Sequence, residues 1–141
     1  VEEEFLYDCQ ILKFTLQPLV ENAIFHGIEP KGTGTIRILV KQELSEGLPP
    51  GICISVTDNG IGMSREKADQ ILSTNEDSSA DFFREIGVSN VQKRLQYEFG
   101  SAYGITIDSV EGEYTTMRIH IPQKKALTAL PKEKHNKPAQ K

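Results

Sequence analysis

The sequence predicts an α+β domain: a two-layer α/β sandwich in which about three helices cover one face of a mixed, mostly antiparallel sheet. Three observations lead there. Two segments carry apolar residues at helical spacing, four show strand-like alternation, and glycine turns lead from strands towards helices. The composition suits a globular domain, with 38% apolar and 26% charged residues over 141 positions. A chain of this length buries roughly two thirds of the surface that its unfolded form exposes. One domain over residues 1–122 accounts for the patterned part. Residues 123–141 hold six lysines against Glu133, two prolines and few large apolar side chains, and read as a basic, disordered tail.

The first helix is read over residues 16–27. Leu16, Leu19, Val20, Ala23 and Ile24 form one stripe at about 100° per residue, Pro18 falls in the first turn where a missing N–H does no harm, and Gly27 ends the run. Asn22 and His26, four residues apart, share one edge of that stripe, and Glu21 lies on the other. Ile36, Ile38 and Val40 then alternate with Arg37, Leu39 and Lys41, and Ile52, Ile54 and Val56 with Cys53, Ser55 and Thr57. These are two strands joined by the hairpin loop SEGLPPG. Asp58 continues the parity of Ile54 and Val56, which points its carboxylate to the buried face. Asn59-Gly60-Ile61-Gly62 breaks the strand, and Ser64, with Lys67 three residues on, opens a short helix ending near Leu72. Residues 73–86 have no period and read as a loop. The next helix runs from about Val88 to Phe99, with Val88, Val91, Leu95 and Phe99 on one face, Gly87 at its start and Gly100 as its stop. Ile105 and Ile107, a turn at EGEY, and Met117, Ile119 and Ile121 before Pro122 make the last strand pair.

Several classes of protein are disfavoured. No apolar run nears the roughly 18 residues of a membrane span, and VEEEFLYDCQ lacks the marks of a signal peptide, so a soluble piece is expected. The tail's net +5 leaves residues 1–122 at −9 within a formal total of −4, and so acidic a body argues against nucleic acid as a partner. Cys9 and Cys53 fall in no pairing pattern, which speaks against a disulfide framework or a thiolate zinc site and for a reducing, cytosolic setting.

The chemistry gathers between the layers. A buried carboxylate accepts an exocyclic amine proton and disfavours a carbonyl, so Asp58 suits adenine over guanine. Gly60 and Gly62 permit positive φ and close backbone approach, so a flat base can lie against them. A helix that starts at Gly87 leaves free N–H groups, which attract phosphate together with the helix dipole. Asn22 offers a neutral carbonyl oxygen of the kind that suits magnesium. Each feature has a bland counterpart: Asp-Asn-Gly is a common turn, an asparagine can bond a loop, and a glycine can simply begin a helix. Order and spacing, not any single residue, carry the reading of a nucleotide site.

That order is also a resemblance. LQPLVENAIFHGI, TDNGIGM about 35 residues on, and IGVSNVQKRLQYEFG resemble the asparagine box and the first and second glycine boxes of the GHKL ATPases. They are most similar to the ATP-binding domain of LytS/YesM-type sensor histidine kinases, over roughly residues 5–122. The resemblance implies the Bergerat fold, with ATP and Mg²⁺ as ligands. By matching position, Asn22 would ligate Mg²⁺ and Asp58 would accept the adenine amine. His26 and Met63 stand in the same boxes as ATP-binding candidates, and Gly60 and Gly62 would line the base pocket. Gly87 and the N–H groups of Val88 and Ser89 would approach the phosphates, and Thr116 matches the threonine beside the adenine-bound aspartate. Asn90 and Arg94 match the N-V-x-x-RL phrase, where a structural role is as ready as a ligand role. Residues 73–86 would be the ATP lid, with Phe82 and Phe83 matching the phenylalanine box.

The departures refine what is implied. Hydrolysing relatives carry a glutamate where this chain has Pro18, so no general base for water stands there. The resemblance therefore implies a kinase domain that presents MgATP to a histidine outside these residues, since His26, His120 and His135 all lie outside a phosphoacceptor phrase. Its partners would be the dimerisation and phosphoacceptor domain of the same kinase and a response regulator. The full protein would be membrane-anchored through other segments, with this domain in the cytoplasm. Phe25 in place of a basic residue, and Phe83 and Glu85 in place of glycines, support the alternative of a degenerate nucleotide-binding or interaction module without kinase competence.

Overall fold

The computed structural model describes residues 15–73 and 82–123, and for 82–86 the backbone alone. α1 (Gln17–Asn22) starts without a side-chain cap, and Pro18 in its first turn forfeits no helical bond. The run does not end at Gly27. It widens into a π-helical turn, Ala23–Ile28, and closes as α2 (Glu29–Lys31), with Gly32 at φ 95° as the stop. Leu19 and Ala23 stay in the core, whereas the wider turn carries Ile24 off the stripe and leaves it 41% exposed.

The sheet has four strands: β1 (Ile36–Glu43), β2 (Gly51–Asp58), β3 (Gly104–Val110) and β4 (Tyr114–Pro122). Their order is β1-β2-β4-β3. Among the described residues every pairing is antiparallel, so the mixed character expected of the sheet is not seen there. Ile52, Ile54, Val56 and Asp58 share one face with Thr115, Met117, Ile119 and Ile121, and the helices cover this face. Ile38 lies on it too but is 44% exposed, because β1 is an edge strand. Leu19, Val88, Leu95 and Ile119, all fully buried, bind the two layers together.

α3 (Arg65–Leu72) follows its sequence signals closely. Ser64 is the N-cap, and its hydroxyl accepts the Lys67 N–H at 3.2 Å. α4 (Phe82–Phe99) begins earlier than the apolar pattern suggests. The apolar spacing read from Val88 onward marks turns that reach the core, and no glycine or proline between Phe82 and Ile86 stops the helix from extending. Phe82 and Phe83 thus stand in a helix, not in a loop. The rest of the expected lid (74–81), the expected tail beyond Gln123 and the first fourteen residues lie outside the described residues. Gln123 still belongs to the fold, since its N–H donates to the Pro50 carbonyl at 3.0 Å.

Candidate nucleotide site

Asp58 ends β2 on the covered face and is 2% exposed, where its strand parity placed it. The Gly60 N–H donates to its Oδ1 at 2.9 Å. Burial pushes the carboxyl above the usual carboxylate range, and the Gly60 bond works against that rise. A carboxylate offers about four lone-pair sites, so acceptor capacity remains for a ligand.

Glycines make the space. A Cβ on Gly27 would sit 2.7 Å from Asp58 Cγ, and a Cβ on Gly60 would run into the Gly27 backbone. The π turn and the glycine loop therefore meet backbone to backbone, and the Ile61 N–H donates to the Gly27 carbonyl at 3.0 Å. Gly62 takes φ 66°, and a side chain there would strike the Val110 carbonyl. On the far side the Ile61 carbonyl accepts the Gly112 N–H at 2.6 Å, and the Met63 N–H donates to Ser109 Oγ at 2.8 Å. The Ser109 hydroxyl donates to the Tyr114 carbonyl at 2.7 Å, so the 2.8 Å contact with Thr115 is a bond donated by Thr115. The loop is thus pinned to the π turn on one side and to the β3–β4 turn on the other.

Beside this loop lies a cleft of about 250 Å³ lined by His26, Ile61, Gly62, Met63, Lys67 and Glu111, with Ser64 and Ile71. His26 Nε2 is buried without a hydrogen-bond partner among the described residues, and so is Asn22 Nδ2, four residues earlier on the same helical run. Such atoms cost about 1–3 kcal/mol each when left unsatisfied, and native folds keep them where water or a ligand supplies the partner.

The structure thus brings His26, Gly62 and Met63 together on the cleft, with Asp58 and Gly60 packed behind it through Gly27. Asn22 is buried on the same run as His26. Two expectations need correction. Gly87 is not at a helix start: it lies inside α4, where an added Cβ would stand 3.2 Å from Pro18 Cβ, and the N–H groups of Val88 and Ser89 fall within the helix instead of at its free end. Thr116 does not stand beside Asp58. The register pairs it with Thr57, and the two hydroxyls meet at 2.9 Å on the opposite face, while Thr115 is the residue across from Asp58. Counting parity back from Met117 would have found Thr115. Lys67 and Glu111 also line the cleft, and no sequence pattern pointed to them; Gly27 read only as a stop.

In architecture this is a two-layer α/β sandwich, with a carboxylate at a strand end beneath a glycine loop. The fold is similar to that of the Erythrobacter litoralis EL346 blue-light activated histidine kinase, with a TM-score of 0.50 over 77% of this chain and 28% of that one at 16% identity. Residues 8–125 match the model for histidine kinase-, DNA gyrase B-, and HSP90-like ATPases, and the chain belongs to that family. It is 38% identical over 114 residues to the sensor histidine kinase YesM of Bacillus subtilis, covering 81% of this chain. It is 31% identical over 115 residues to the sensor histidine kinase BtsS of Escherichia coli, covering 80% of this chain. The chain spans 17% of the length of each of those two proteins.

Proposed function

We propose that this chain is the ATP-binding catalytic domain of a sensor histidine kinase, holding MgATP so that a histidine outside these residues takes the γ-phosphoryl group. The observation that carries the reading is the buried Asp58 carboxylate, held by Gly60 and given room by Gly27 behind a cleft lined by His26, Gly62 and Met63. In this reading Asp58 accepts the adenine amine, and Gly60 and Gly62 let the base lie close to the backbone. Thr115, whose hydroxyl proton goes to Ser109, keeps lone pairs for a water or the base beside Asp58.

Asn22 fits a magnesium role. Its side-chain amide is buried with one end unpartnered, and a half-turn about χ2 exchanges nitrogen for oxygen at that position. When bound, the ion would offset phosphate charge, as in phosphoryl transfer generally. The chain's own part is to seat the base, exclude water and orient the phosphates. Pro18, in the first turn of α1, offers no base to activate water, which favours transfer over hydrolysis. The partners in this reading are the histidine-bearing dimerisation domain of the same kinase and a response regulator. No described helix is long and apolar enough to cross a membrane, and membrane anchoring of the full protein would come from other segments.

Titration calorimetry with ATP, ADP and GTP, with and without Mg²⁺, tests the proposal. ATP and ADP are expected to bind saturably and GTP weakly. Asp58→Asn is expected to lower adenine-nucleotide affinity about 10- to 100-fold, the value of a hydrogen bond to a charged group, with an unchanged circular dichroism spectrum. Equal binding of GTP and ATP, or silence with both at millimolar concentration, would overturn it.

A further inference from the structure

On the sheet face turned away from the helices, three side chains meet that lie far apart in the sequence. Glu43 ends β1, and Cys53 on β2 pairs directly with His120 on β4. Their carboxylate oxygen, thiol sulfur and imidazole nitrogen all lie within 4.8 Å of one another. Cys53 is buried, while the side chains of His120 and Glu43 keep 21% and 35% exposure, so an ion can enter from solvent.

We propose that Glu43, Cys53 and His120 form a binding site for a zinc-class divalent cation, independent of the nucleotide cleft. Thiolate, imidazole and carboxylate are the ligands such a borderline-soft ion takes, at about 2.0–2.3 Å. Cysteine spacing gives no sign of this site, because the sheet register, not a local motif, assembles it. Glu43 and His120 border an open depression of about 110 Å³ with Pro49 and Tyr103, so a water has access as the fourth ligand.

The histidine is already oriented. Its Nδ1 lies 2.8 Å from Glu43 Oε2 and its Nε2 2.9 Å from Thr106 Oγ1. With no metal, a neutral ring carries its proton on Nδ1, donates it to Glu43, and accepts from the Thr106 hydroxyl at Nε2. With metal, the ring proton sits on Nε2 and is donated to Thr106 Oγ1, since a hydroxyl serves either role. The Nδ1 lone pair then faces the ion. Metal-bound histidines usually donate their second N–H to an oxygen in this way. Cys53 releases its thiol proton to solvent, so one proton leaves for each ion bound and no electron moves. The thiolate and the Glu43 carboxylate cancel the charge of the ion, which makes the neighbouring Lys41 and Arg118 tolerable. Burial first, then Glu43, push the Cys53 thiol up, while Arg118 and Lys41 draw it down.

Cobalt(II) is the probe, added to the full chain under reducing conditions and followed by thiolate-to-cobalt absorption. A saturable band that zinc displaces is expected, abolished by Cys53→Ser and kept by Cys9→Ser. Glu43→Gln, at the exposed rim where folding is not at risk, should weaken binding tenfold or more, and Thr106→Val about 10- to 100-fold. Absence of a saturable band in the wild type, or a band that survives both Cys53→Ser and Glu43→Gln, would overturn the site.

Discussion

Asp58 carries a stability cost that a pH series exposes. Its carboxyl titrates above its unfolded value, near 3.9, because burial disfavours the charged form. Between the unfolded and folded values the native state therefore binds more protons than the unfolded state. Stability falls as pH rises through that window, and the penalty is complete above the folded value. Asp58→Asn keeps an oxygen for the Gly60 N–H and removes the charge. Thermal unfolding should show the variant melting above the wild type at neutral pH, with the gap closing below about pH 4. A wild type that is the more stable of the two at neutral pH would mean that the folded protein favours the ionised form. The same residue shows why the site was partly legible. Strand parity located the carboxylate without any structure, and the same parity would have named Thr115, but matching by position to Pro122 selected Thr116 on the wrong face. Gly27 was illegible, because its purpose is set by a carboxylate from another element and not by its neighbours in the chain.

At the scale of elements, α4 holds the sharpest question. Val88, Val91 and Leu95 were readable because periodicity reports burial directly, whereas residues 82–86 close a polar stretch of sequence without a period, which hid the helical backbone there. Gly87 now sits in a helix interior, where glycine costs about 1 kcal/mol relative to alanine. An added methyl would lie 3.2 Å from the Pro18 Cβ, a contact relieved by a few tenths of an ångström. Gly87→Ala should therefore leave urea stability within about 1 kcal/mol of wild type. If phosphate binding frees the Val88 and Ser89 N–H groups by unwinding the first turns of α4, alanine makes that unwinding costlier. ATP affinity is then expected to fall about fivefold, the equivalent of 1 kcal/mol. Calorimetry and denaturation on the one variant give both numbers. Unchanged ATP affinity would show that α4 stays wound when nucleotide is bound.

For the whole molecule, the sandwich sets its chemistry on separate faces, and that bears on phosphoryl transfer. In-line displacement needs a nucleophile held at the γ-phosphorus, so position decides which histidine can accept. The chain has three. His120 is on the face away from the cleft, engaged by Glu43 and Thr106. His26 is in the cleft wall, on the helical run that bears Asn22, with its Nε2 buried. His135 lies outside the described residues, in a segment with no helical apolar pattern. Incubated alone with ATP labelled at the γ-phosphate, the chain is expected to stay unlabelled and to release no steady stream of phosphate, since Pro18 supplies no base for water. Label should appear when a separate segment bearing a histidine on a dimerisation helix is added, and it should be stable to base and lost in acid, as expected of a phosphohistidine. Label on the chain alone that disappears in His26→Gln would instead make the cleft wall the acceptor, and the division of labour between this domain and an outside histidine would fall.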